Sequence, residues 1–382
     1  MSKTIIEEDG INSNTIDPNI ALPLGAATAA NQTNGLQKTH LVDAFGNVIE
    51  SIPHDNTYWL ATVNLPAGWA LAAGQLANHE VNSASGYNAA IGTTREDVWP
   101  VGGDYVFPTT AITMEVDSTS AADAGTLVAS GTSTGGTTST LIDTGKDFVA
   151  LGVIAGDALL NDTDGALGVV SSLTGTTQIN FIPQAEVTFA GKAYRVARAA
   201  STGAAIVEIH GLDANYAEIQ EYVITNGTTA VSTVNQFLRM NNFHVMHVGT
   251  GKHAAGNITV QAVGGATIYD YIAAGFNNSS TCVFTVPADV NLYMTHWKGC
   301  SAGTRAIRFF IESNTDYHDR SWVPSGAMIE QDDLIVVSGT EYADFDAIPM
   351  KFPPKADIKI SGYSYLGNGE GSGGFRFWLE PA

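Results

Sequence analysis

The sequence predicts a mainly β protein: a jelly-roll-like β-sandwich with an inserted small β-domain, behind an extended N-terminal arm. Three observations lead there. Apolar and polar residues alternate with period two in many short runs. Gly, Pro and Asn turns separate those runs, and almost nothing repeats with the 3.6-residue period of a helix. Charge is sparse, since 14% of the 382 residues are Asp, Glu, Lys or Arg, against about 25% in an average soluble domain.

Residues 1–55 read as the arm. Asn12, Asn14, Asn19, Asn31, Asn34 and Asn47 punctuate a polar stretch with no sustained period. Arms of this kind are often ordered only by a neighbouring subunit. The body is expected over 56–126 and 198–382. It opens with the strand signal TYWLATVNL and the turn Pro66-Ala67-Gly68. In GWALAAGQLANHEV, the spacing of Leu71, Leu76 and Ala77 predicts a short helix. Ile112, Met114 and Val116 alternate as the inner face of a strand.

The most regular piece is AAIVEIHGLDANYAEIQEYVITNGTTAV. Val207 and Ile209 alternate with Glu208 and His210 before a GLDANY corner. Ile219, Glu221 and Val223 then alternate with Glu218, Gln220 and Tyr222, and Asn226-Gly227 supplies a turn that tolerates positive φ. Short strand runs such as NITVQAV, RAIRFFIES and ADIKISGYSY continue to the C-terminus, with turns such as Val286-Pro287-Ala288-Asp289 between them. Residues 127–197 read as an insertion. AADAG at 121–125 and AASTGAA at 199–205 flank enough strand signal for a small β-module whose ends lie close together.

The composition excludes some functions. Seventeen bases against 38 acids give 17 − 38 = −21, which argues against a protein that grips nucleic acid phosphates. No apolar run approaches the roughly 18 residues of a membrane-spanning helix, and the acidic start has no secretory signal pattern. A soluble chain made in the cytosol is expected.

Motifs for chemistry are scarce. GTSTG at 131–135 matches the letters of a nucleophile elbow, but a Thr/Gly/Ser-rich hairpin surrounds it where a strand and a helix would be needed. Asp157, Asp162 and Asp164 are the best cation candidates, because hard ions want closely spaced oxygens; a polar turn is the plainer expectation. His244 and His247, three apart, should fall on opposite faces of a regular strand and cannot chelate together. His210 is expected only to hydrogen-bond near a strand end. Asp316, His318, Asp319 and Arg320 group in what reads as a solvated loop. Cys282 and Cys300 read as small buried side chains without a disulfide. Trp59, Trp69, Trp99, Trp297, Trp322 and Trp378 are scattered and read as core or interface residues. No catalytic, metal-binding or cofactor-binding residue is assigned.

Three segments carry a resemblance: VWPVGGDYVFPTTAITMEVDSTSAADAGT, GAAIVEIHGLDANYAEIQEYVITNGTTAVST and FLRMNNFHV. In this order they resemble a group of virion structural proteins of tailed bacteriophages. The later AAGNITVQAVGGATIYDYIAAG, CVFTVPADVNLYMTHW and MKFPPKADIKISGY fit the same pattern, so the likeness spans most of 96–382. The block 127–197 is similar to small β-modules within other phage structural proteins.

The resemblance implies a non-enzymatic virion component of head, neck or tail, such as a decoration, collar or fibre protein. It implies a homo-oligomer, trimer or ring, contacting other virion proteins such as capsid, portal or tail, with no cofactor, nucleic acid or membrane partner. The acidic charge then suggests an outer or peripheral place, away from packaged DNA. Two other classes stay open. A receptor-binding fibre or adhesin for host surface glycan would need an aromatic and acidic cluster on the module. A tailspike glycan hydrolase would need two carboxylates across a cleft.

Overall fold

The computed structural model describes residues 82–382, except 266, 317–320, 322, 324–325 and 346–348, together with four short strands between residues 41 and 59. Contacts divide the chain into two units, Met1–Pro66 and Ala67–Ala382. In the first, Leu41–Val42 pairs antiparallel with Val48–Ile49, and Ile52–His54 with Thr57–Trp59. Apart from these pairings, the expected arm lies outside the described residues. So does the helix expected in GWALAAGQLANHEV.

The described part of the second unit is built of antiparallel strands and holds no helix. Where the sequence suggested one body, there are two stacked pairs of sheets. The first pair faces a three-stranded sheet, in the order Glu218–Ile224, Ala204–Leu212, Arg239–Val248, onto a four-stranded one, in the order Val231–Phe237, Ile112–Ser118, Ile258–Ala262, Ile268–Ile272. Period-two alternation sorts the side chains. Val207, Ile209 and Phe243 meet Met114, Val116 and Val260 in the core, all at most 1% exposed. Glu208 and His210 therefore face outward from the first sheet.

The second pair lies further along the chain. One sheet runs Gly339–Asp344, Val290–Ser301, Gly369–Pro381, Asn82–Ile91; the other runs Val283–Thr285, Asp357–Ser364, Ile307–Ser313, Ile329–Val336. Trp297, Phe375 and Phe377 of one meet Phe309, Ile311 and Ile360 of the other. Close packing explains Gly299, where an added Cβ would sit 2.4 Å from the Phe309 ring.

The segment 98–108 joins the two pairs. Trp99, Tyr105 and Phe107 pack against Val283 and Ile268. Beside them, buried Arg239 of the first pair meets buried Asp357 of the second through two bonds of 2.7 and 3.0 Å. Asp357 also accepts from Thr285 Oγ1 at 2.6 Å and Asn314 Nδ2 at 3.0 Å. The Arg239 guanidinium lies over the Phe107 ring.

Between Ile112–Ser118 and Ala204–Leu212 the chain forms a seven-stranded sheet of its own. Its first and last strands, Gly125–Thr132 and Ala193–Ala199, pair with each other, with Gly125 opposite Ala199. The module thus leaves and re-enters the body at one point. Asp123 is the knot there: its buried carboxylate accepts from Ser118 Oγ and from the backbone N–H groups of Ala204, Ala255 and Gly256, at 2.6–2.7 Å.

Both faces of the module strand Ala158–Asn161 are covered. Leu159 enters the module core with Phe148, Phe181 and Val196. Ala158, Leu160, Leu167 and Ala197 pack on Ile206 and Tyr222 of the body. Arg195 adds a hydrogen bond to the Tyr222 carbonyl at 2.9 Å.

Candidate metal centre

The outward face of the three-stranded sheet is apolar at one end, where the module covers Ile206 and Tyr222. Polar side chains gather beyond that contact. Glu208 and His210 are two apart on Ala204–Leu212 and so share the face. Register then supplies their neighbours: Tyr222 and His244 stand opposite Glu208, and Gln220 and Asn242 stand opposite His210.

Glu208 is 4% exposed. Its Oε2 lies 2.6 Å from His244 Nε2 and its Oε1 lies 3.2 Å from His210 Nε2. The two imidazoles stack at 5.5 Å between centroids, tilted by 25°. One carboxylate oxygen and the two ring nitrogens all lie within 4.8 Å of one another. Burial pushes the Glu208 carboxyl up, but hydrogen bonds from His210, His244 and Tyr222 outweigh it and hold the group well below the usual carboxylate range. Burial and then the Glu208 hydrogen bond raise the Tyr222 hydroxyl in turn. A charged carboxylate is therefore kept in a nearly closed place with imidazole donors on both oxygens.

The cluster borders a cleft of about 410 Å³ between the two sheet pairs. His210, Gln220 and Asn242 line it from one side, Asn82, Phe284 and Phe377 from the other. His210 keeps 40% of its side chain exposed there. Two imidazoles and one carboxylate converging beside an open cleft could hold a transition-metal ion.

The residues singled out from sequence take other positions. Asp157, Asp162 and Asp164 do not converge on a cation site; each pairs with a different base. Asp157 meets Arg198 at 2.5 Å, Asp162 meets Arg195 at 2.7 Å, and Asp164 meets Lys192 at 2.8 Å. Ser133 of GTSTG is buried, accepting from Lys192 N at 3.0 Å and donating to the Phe189 carbonyl. Cys282 and Cys300 are both free thiols; burial, and then Asp97, pushes the Cys282 thiol far up.

Trp99, Trp297 and Trp378 are buried. Nothing is described of the Trp59, Trp69 and Trp322 side chains, and His318, Asp319 and Arg320 lie outside the described residues. His244 and His247 share no site. His247 follows an irregularity in the register, opposite Ile206, and burial lowers its pKa. His244 finds its partners on the neighbouring strand instead. His210 lies two residues before the end of Ala204–Leu212 and bonds Glu208. Alternation marks Glu208 only as a polar position of its strand, yet it is the centre of the cluster.

Comparison with known proteins assigns no family: no protein-family model matches the chain, and no curated protein does.

Proposed function

We propose that this chain is a non-enzymatic structural component of a tailed-phage virion, an oligomeric accessory protein of the head, neck or tail. One observation carries the reading: the segments that resemble phage virion proteins are the ones that knit the body together. The first supplies Trp99, Tyr105 and Phe107 at the joint between the sheet pairs, then Met114 and Val116 in the core, then Asp123 at the root of the module. The second and third supply the three-stranded sheet that backs the module. Their side chains serve packing and junctions, as a scaffold requires, while the inserted module varies the outer surface. The acidic charge of −21 suits a peripheral place, and its partners would be further copies of itself and neighbouring virion proteins. Mass spectrometry of purified phage particles that encode the chain tests this. Finding the protein as a stoichiometric particle component is the expected outcome; its absence from clean particles overturns the reading.

A second reading, receptor binding through the module, draws on one surface feature. Val149, Leu151 and Ile154 stand on one loop at 57%, 44% and 53% exposure. The aromatic platform that glycan recognition would need is missing from the described module, because Phe148, Phe181, Phe189 and Tyr194 are all buried. A triple substitution of that loop to Ser, in the whole chain, should abolish binding to host cells under this reading and leave particle assembly intact.

A further inference from the structure

We propose that Glu208, His210 and His244 form a binding site for a divalent transition ion, Zn²⁺ being the probe of choice, with its open coordination position turned to the adjoining cleft. The argument is independent of the virion reading.

The donor set selects the class of ion. Two imidazoles and one carboxylate suit Zn²⁺ and its transition-metal neighbours, whereas Ca²⁺ and Mg²⁺ prefer oxygen alone. Three protein ligands with an open fourth position is also the pattern of reactive zinc sites. Ligand distances agree. Bonds of about 2.0–2.2 Å in tetrahedral geometry put ligand atoms about 3.4 Å apart. His210 Nε2 lies 3.2 Å from Oε1 and His244 Nε2 lies 2.6 Å from Oε2 of Glu208, and one carboxylate oxygen and both ring nitrogens fall within 4.8 Å of one another. Side-chain rotations that bring these three atoms to the tetrahedral spacing would admit an ion.

The backbone fixes the three positions. Glu208 and His210 share a strand and His244 stands directly across from Glu208. Behind them Val207, Ile209 and Phe243 are fully buried. Sites on rigid sheets hold their geometry better than sites on loops. Tyr222, which hydrogen-bonds Glu208, and Gln220 at 3.5 Å from the Tyr222 hydroxyl supply outer support. The cleft gives solvent a route to the ion.

Isothermal titration of the full chain with ZnCl₂, followed by metal analysis after dialysis, tests the site. One Zn²⁺ per chain is expected, with thermal stability rising as the site fills. His210→Ala and His244→Ala should each weaken binding by about tenfold or more, while His247→Ala leaves it unchanged. His210 is 40% exposed, so its variant should fold even if Glu208→Gln does not. Co²⁺ should give the visible bands of a low-coordinate nitrogen and oxygen site without the thiolate charge-transfer band that Cys282 or Cys300 would add. Failure of the wild type to bind Zn²⁺ at micromolar concentration overturns the proposal. So does undiminished binding in both the His210 and His244 variants.

Discussion

In the inserted module, Asp157, Asp162 and Asp164 each meet a base of their own on or beside the strand Ala193–Ala199. In the body, Asp123, Glu208 and Asp357 each gather several donors from separate strands and loops. Module carboxylates settle neighbouring turns. Body carboxylates tie segments far apart in the chain: Asp357 reaches Arg239 over 118 positions and Asp123 reaches Gly256 over 133. Removing a module acid such as Asp162 breaks a pair with one base, whereas removing a body acid such as Asp123 strands several buried donors together. The contrast explains how a module could be inserted without disturbing its host. Its Asp157, Asp162 and Asp164 each pair with a base on or beside its own last strand, and the multiply bonded carboxylate is the one at its root, Asp123.

The largest effect should come from Asp357→Ala. It leaves the Arg239 guanidinium buried against Phe107 without its anion. Breaking a buried pair from one side costs about 3–5 kcal/mol. Urea denaturation should show a loss in that range, with Asp357→Asn milder because it keeps some of the hydrogen bonds. A loss under about 1 kcal/mol, the range of exposed pairs, would erase the distinction between body and module.

A pH titration sharpens the same point through Asp97, another buried body acid. Burial, the dominant cause, raises its pKa from 3.8 to about 6, against the pull of Lys359 at 2.8 Å and the Tyr105 N–H, with Glu312 adding a small push upward. Because the folded pKa exceeds the unfolded one, the folded state binds the proton more tightly. The contribution of Asp97 to stability is therefore greatest below about pH 4 and is lost as pH rises to about 6, by at most about 3 kcal/mol. Urea denaturation of wild type and Asp97→Asn across this window should show the difference between them changing with pH and then levelling. A constant difference would mean that Asp97 is not titrating there.

Much of this fold was legible in the chain. The alternation of Ile112, Met114 and Val116, and of Val207 and Ile209 against Glu208 and His210, states which side of each strand is buried, and the core follows it. The flanks AADAG and AASTGAA marked a module whose ends meet, and Gly125 pairs with Ala199. The division of the body into two sheet pairs was not legible, because strand period says nothing about which sheets face each other. The candidate site failed to show for a related reason. The spacing of His244 and His247 speaks only for their own strand, but the decisive partner lies across the ladder, where register puts His244 opposite Glu208. The signal was present as Glu208-Ile209-His210, two ligand-type residues on one face. That strand pairs with FHVMHV, and register between residues 36 positions apart is set by turns and irregularities that composition does not reveal.

The smallest effect should come from the module acids that sequence alone favoured. Asp162 and Arg195 are each about one-third exposed, at 31% and 29%. An exposed pair contributes about 0–1 kcal/mol, so Asp162→Asn should change stability by less than that. Calcium should not raise the melting temperature of the wild type, because Asp157, Asp162 and Asp164 point to three different cations instead of one shared centre. Thermal melts with CaCl₂ and with ZnCl₂, run side by side on wild type and Asp162→Asn, set the two regions against each other. Zinc should stabilise both proteins equally and calcium neither. A calcium-dependent shift that Asp162→Asn abolishes would return the cation site to the module. It would also mean that Arg195 and Lys192 yield to an ion, which their partly exposed pairs could do and the multiply bonded carboxylates of the body could not.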